Sequence, residues 1–150
     1  MRYGYALSFA LLMGCTLPEI DGTAPAVQET PAAAVTPPPP PATASTVEEF
    51  DTTTAADRAA AVVVQASAAE LRLGTTIASL GPPTEPGIWL KTPLVQAVRA
   101  GRVVYQGKSV NVELRPSGGG PGSGSQISLA AMRLIGAPLT GLPEIEVFAK

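Results

Sequence analysis

The chain has 150 residues, enough for one small domain, and its net charge of −2 points to no partner by itself. It contains no histidine, and its single cysteine, Cys15, rules out an intramolecular disulfide. No aspartate lies beyond Asp57, so Gly74 to Lys150 has four glutamates as its only acidic side chains. A Ser-His pair is therefore impossible, and neither histidine nor cysteine is available there to hold a metal. The chain is expected to carry no cofactor, no metal and no nucleic acid. Its charge is unevenly spread: Thr16 to Leu73 holds eight acids and two arginines, whereas Gly74 onward holds seven bases and four acids.

At the N-terminus, Arg2 precedes an apolar run from Tyr3 to Met13 that is broken only by Gly4 and Ser8. A bilayer span needs about 20 residues, so this run has the pattern of a secretory signal over residues 1–14. Leu12-Met13-Gly14-Cys15 resembles the lipobox of bacterial lipoproteins, in which a small residue precedes a cysteine that becomes lipid-modified. The resemblance implies lipidation at Cys15 and a membrane partner through that lipid. With Thr16 rather than an aspartate next, it also implies sorting to the outer membrane, on the periplasmic face. Several acyl chains together anchor a protein stably, whereas one holds it only marginally.

Residues 15–46 read as the anchor followed by a disordered tether. Thr16 to Thr46 contains eight prolines, five of them in a row from Pro37 to Pro41, mixed with Ala and Thr. It has too little hydrophobicity to fold, and its proline run favours extended polyproline II. Residues 47–73 read as an Ala-rich helical segment, with Thr54 capping a run from Ala55 to about Leu73 and Gly74 as the stop. It carries no chemistry.

Residues 74–150 read as the folded domain. Thr75 to Leu80 is a first strand, and Gly81 to Gly87 is a turn-rich loop. Ile88-Trp89-Leu90 and Leu94-Val95 are short extended pieces around Thr92-Pro93. Arg102 to Tyr105 pairs with Val110 to Leu114 across Gln106-Gly107-Lys108 as a hairpin. In that second strand Val110, Val112 and Leu114 share one face, and Ser109, Asn111 and Glu113 share the other. Pro116 to Ser125 holds five glycines, two prolines and three serines and is loop. Ser128 caps a short helix from Leu129 to Ile135 that Gly136 ends, and Glu144 to Phe148 alternates as a last strand. The expected class is mainly β: a small β-barrel of five or six short strands with one short helix. Trp89, Leu90, Val103, Val112, Leu129 and Val147 are its expected core residues.

The order of these elements resembles the double-psi β-barrel of the rare lipoprotein A family, lipid-anchored outer-membrane proteins that act on peptidoglycan. That family has a strand of the form G-R-S-V-x-V-x-V, then N-D-R-G-P, a loop, I-D-L-S-x-A-A and a closing strand. Gly107, Lys108, Ser109, Val110, Val112 and Leu114 match the first strand. Ile127, Leu129 and Gly136 match the helix segment, and Ile145 and Val147 the last strand. The two aspartates fall on Pro116 and Ser128, and the family's histidine has no counterpart. The match thus implies architecture and envelope location rather than catalysis. The chain also resembles small proteobacterial lipoproteins with a G-x-W-x-x-T-P-L-V segment like Gly87 to Val95. Some of these carry a D-galactarate dehydratase label, for which the residues supply no chemistry.

Lys91, Arg99, Arg102, Lys108 and Arg115 fall in a stretch whose only acid is Glu113. With Trp89 they form a candidate binding strip for an anionic envelope polymer or cell-wall glycan. The simpler reading is a solvated surface. Gly122, Ser123, Gly124 and Ser125 precede the helix and form a candidate anion-binding loop, or simply a flexible one. A Ser-Lys pair of Ser123 with Lys108 or Lys91 is the one nucleophile arrangement left open. The glutamates read as solvated strand faces, and Gly107-Lys108-Ser109 lacks the spacing and the following helix of a phosphate loop. The expected protein is a non-catalytic binding or scaffolding barrel contacting peptidoglycan or an envelope protein. A lytic enzyme is the main alternative.

Overall fold

A computed structural model describes residues 36–63 and 70–150. The signal segment 1–14, Cys15, the tether up to residue 35 and residues 64–69 of the expected helix lie outside the described residues.

Six strands close into a barrel in the order β1-β5-β2-β4-β3-β6. They are β1 (Leu71–Leu80), β2 (Trp89–Thr92), β3 (Arg99–Tyr105), β4 (Lys108–Pro116), β5 (Ser125–Ile127) and β6 (Glu144–Ala149). Among the described residues, three short helices accompany them: α1 (Val47–Phe50), α2 (Ala55–Val62) and α3 (Leu129–Leu134). Apolar residues at every second position make the core. Val110, Val112 and Leu114 of β4 point inward, as do Ile145, Val147 and Ala149 of β6. Met132 and Ile135, from α3 and its cap, fill out the same cluster.

The β3–β4 hairpin closes on Tyr105↔Lys108 through Gln106 (φ 47°) and Gly107 (φ 79°). Two consecutive positive φ values mark a type I′ turn, whose twist suits a two-residue hairpin. Ser128 caps α3 through its side chain to the Ala131 N–H, and Gly136 follows at φ 70°.

The ring has an internal near-symmetry. Exchanging β1 with β4, β2 with β5 and β3 with β6 returns the same neighbours in the same directions. The parallel pair β1–β5 becomes the parallel pair β4–β2, and the antiparallel β1–β6 becomes β4–β3. The antiparallel pairs β2–β5 and β3–β6 map onto themselves. A closed barrel built from two interlocked three-strand halves is compatible with a double-psi-like fold.

Several expectations change. The Ala-rich helix ends at Val62 rather than near Leu73, and Leu71 onward is strand. Helix propensity carries the alanines, but Leu71 to Ile77 gains a full antiparallel ladder with β6, which an isolated helix cannot match. Gly74, expected as a helix stop, sits instead at a β-bulge with φ 137°. Ser125 to Ile127, divided between loop and lead-in to the helix, is a strand held on both sides. Leu94 and Val95 lie in the turn between β2 and β3, although Val95 is still buried.

The residues before the barrel are also placed. Pro37 lies against Gly87 of the loop before β2, and the Thr52 hydroxyl donates to the Pro38 carbonyl at 2.6 Å. α1 and α2 begin with capping boxes built on Thr46–Glu49 and Thr54–Asp57. α2 packs on β4, where Asn111 donates to the Val63 carbonyl at 3.0 Å. Arg133 of α3 reaches back to Asp51 at 2.9 Å. Thus the last part of the expected tether, residues 36–46, belongs to the folded unit.

Candidate functional site

Parallel pairing of β2 with β4 sets Lys91 beside Arg115 and Trp89 beside Glu113. Glu85, from the loop before β2, lies between the two cations. Its carboxylate accepts from Lys91 Nζ at 2.5 Å and from Arg115 Nη1 at 2.7 Å, while Arg115 Nε meets Glu113 at 2.5 Å. Both cations also lie over the indole of Trp89, at 4.9 Å and 5.5 Å from its centroid. The result is a satisfied network that closes over the ring.

Trp89 itself is fully buried. β2 is flanked on both edges, and the Gly81–Gly87 loop folds across it, with the Trp89 Nε1–H donating to the Glu85 carbonyl at 3.4 Å. A Cβ at Gly81 would stand 2.4 Å from the indole, so only glycine lets the loop close this tightly. Trp89 is therefore a core residue and offers no face to a sugar, which corrects its place in the candidate strip.

The rest of the strip does not assemble. Arg102 is tied by Nε and Nη2 to Glu70 and stacks on Phe148 at 4.2 Å. The Arg102 and Glu70 side chains are only 12% and 5% exposed. Hydrogen bonding to Arg102 lowers the Glu70 pKa, outweighing the opposing effect of burial. Arg99 donates to the Lys150 carbonyl at 2.8 Å, and Lys108 lies against Gly136. Of the five cations, Lys91 and Arg115 come together, while Arg102, Arg99 and Lys108 stand apart. The acids that quench three of them, Glu70, Glu85 and Glu113, come from three separate segments.

A cleft of about 460 Å³ lies where the glycine-rich loop meets β1 and β5. Ser79, Ser117, Ser123 and Gln126 supply polar groups, and Ile77 and Leu142 supply aliphatic surface. Among the described residues, no charged and no aromatic residue lines it. The loop is built for this shape: Ser123 N–H donates to Gly120 O across Pro121-Gly122, a turn that needs the positive φ of Gly122 (84°). Ser125 is buried and its hydroxyl meets that of Thr76 at 2.9 Å.

Gly122 to Ser125 does not open the helix, because β5 intervenes and Ser128 is the cap. The candidate anion loop is therefore a wall of the cleft. The Ser-Lys pair is not formed: Lys91 is held by Glu85, and Lys108 starts β4 at the end opposite to the one that leads to Ser123. Ser128 is buried, with Oγ accepting from the Trp89 and Ala131 amides.

A second groove of about 290 Å³ lies between α2 and β4 and includes Asp57, Glu113 and Arg115. Asp57 is engaged in capping α2 and Glu113 in holding Arg115. Among the described residues, no three acids, cysteines or histidines gather as a metal ligand set, and no helix is long and apolar enough to cross a membrane. No family model, no curated protein and no solved structure matches the chain.

Proposed function

We propose that this chain is a lipid-anchored cell-envelope protein whose barrel binds an envelope component without catalysing a reaction on it. The resemblance of Leu12 to Cys15 to a bacterial lipobox, with Thr16 next, supplies the setting: a lipidated Cys15 and an outer-membrane anchor. The near-symmetric six-strand ring supports the finer reading of a double-psi barrel.

One observation carries the non-catalytic part. The two positions that hold aspartates in the resembled family are Pro116, at the end of β4, and Ser128, a buried helix cap engaged by two backbone amides. Proton transfer in glycoside cleavage needs a carboxylic acid within reach of the bond. The two carboxylates beside β2 and β4, Glu85 and Glu113, both contact the Arg115 guanidinium instead.

The cations first considered as a binding strip are largely paired, and Trp89 is closed, so the Ser- and Gly-lined cleft is the better binding surface. Cell-wall polymer, the partner expected of the strip, is the first to be tested on it. The test is sedimentation of the purified full-length chain with isolated peptidoglycan at low salt. Saturable recovery that falls when Ser123→Trp fills the cleft fits the proposal, whereas no recovery of the unaltered chain removes it. Clearing on a peptidoglycan gel that disappears with Glu85→Gln or Glu113→Gln would replace it with a lytic enzyme.

A further inference from the structure

Among the described residues, the edge of β1 beside the cleft is open. β6 pairs with β1 at Leu71 to Ile77, whereas β5 pairs with it only from Ala78 to Leu80. The Ala78 N–H donates to the Pro143 carbonyl on the β6 side at 2.9 Å. Backbone groups alternate in direction along a strand, so the N–H groups of Thr75 and Ile77 and the C=O of Thr75 face the other edge. Among the described residues, no strand or loop backbone bonds them there. Thr75 is exposed, and Ile77 is 47% exposed.

The internal symmetry of the barrel gives a control. The counterpart edge is on β4, where β2 pairs only from Glu113 onward. That edge has α2 packed beside it, and Asn111 is tied to the Val63 carbonyl. Among the described residues, no helix packs comparably against β1. Of two equivalent edges, one is covered and the other faces a cleft.

An unpaired strand edge accepts an extended chain by completing its ladder. The surroundings specify what kind. With no Lys, Arg, Asp or Glu lining the cleft, a charged segment would be desolvated without a counter-charge. With no aromatic ring, a sugar has no stacking platform. Serine hydroxyls and the Gln126 amide can bond peptide groups, and Ile77 and Leu142, the latter 67% exposed, can take aliphatic side chains. We propose that the open edge of β1 and the adjoining cleft form a docking slot for an extended, uncharged peptide, which bonds Thr75 and Ile77 and seats aliphatic side chains on Ile77 and Leu142. This rests on the reading of the barrel as a binding module and names the ligand class of the same cleft.

The probe is a capped synthetic pentapeptide of alternating serine or threonine and valine, titrated into the isotope-labelled full-length chain and followed by amide NMR. Shifts should concentrate at Thr75, Ile77 and Ser123 to Gln126. A copy of the peptide N-methylated at the bonding amides keeps the side chains but loses the ladder, so its affinity should fall about tenfold or more. Thr75→Pro removes an edge donor that β6 does not use, and it should weaken the unmethylated peptide similarly. Leu142→Lys, at an exposed position, gives an independent loss without disturbing the core.

Equal affinity of the methylated peptide, or shifts located elsewhere, overturns the proposal. Exchange-protected Thr75 and Ile77 amides before any peptide is added also overturn it, since the edge is then filled by the chain itself or by a second copy. If N-acetylglucosamine oligomers shift Ser123 to Gln126 and the peptide does not, the peptide class falls and the binding reading stands. If neither probe binds and peptidoglycan sedimentation is also negative, both fall.

Discussion

At the scale of single residues, tight approaches and one nearly closed ion pair dominate. A Cβ on Gly101 would lie 2.4 Å from Leu114 Cδ1 and 2.5 Å from the Phe148 carbonyl oxygen. The leucine can shift, but the carbonyl belongs to the β3–β6 ladder and cannot move without breaking it. Gly101→Ala should therefore destabilise the barrel by about 2 kcal/mol or more, read from urea unfolding. The Glu70–Arg102 pair has a pH signature. Because Arg102 lowers the Glu70 pKa below its ordinary value of 4.5, the folded state binds the proton less well than the unfolded chain. The pair's contribution is complete above the unfolded value and is lost as the pH falls through the lower folded one. Removing one partner of so closed a pair costs about 3 kcal/mol. Glu70→Gln should lose about that much at pH 7 and show a shallower loss of melting temperature below pH 4.5 than the unaltered chain. Equal acid slopes in the two proteins would remove this assignment.

At the scale of elements, periodicity located β4, α3 and β6 because each buries a face against its neighbours and so must repeat at its own period. Ser128 was legible as a cap. Its second role was not, since the bond from the Trp89 amide joins residues 39 apart in sequence. Ser128→Ala loses the α3 cap and leaves a buried amide unpaired, together about 2–3 kcal/mol. Ser128→Thr retains both acceptor functions and should recover much of that difference in the same unfolding assay. The elements that escaped sequence reading share a cause. β5 is three residues long, too short for any period to register, and it exists because β1 and β2 hold it on both sides. The β1 start at Leu71 was hidden because an alanine-rich lead-in favours helix locally, whereas β6 supplies the ladder from the far end of the chain.

At the scale of the whole molecule, the chain joins a proposed lipid anchor to a barrel wrapped by its own preceding residues. Cys15→Ala should abolish incorporation of a clickable palmitate in cells, and persistent labelling would remove the anchor from the account. The ion pairs from Arg133 to Asp51 and Glu48 tie α1 to α3, and the Thr52 hydroxyl bond to the Pro38 carbonyl ties the end of the expected spacer to the same unit. By itself the sequence determined the mainly β class, the hairpin, the capped helix, and the lack of histidine and of late aspartates, because composition and local periodicity are properties of neighbouring residues. Only the tertiary structure decided that Trp89 belongs to the core and not to the strip, that three of the strip's cations are quenched, and that, among the described residues, no strand covers one edge of β1. Burial, ion pairing and strand partnership depend on which distant segments meet, and barrel closure sets those meetings.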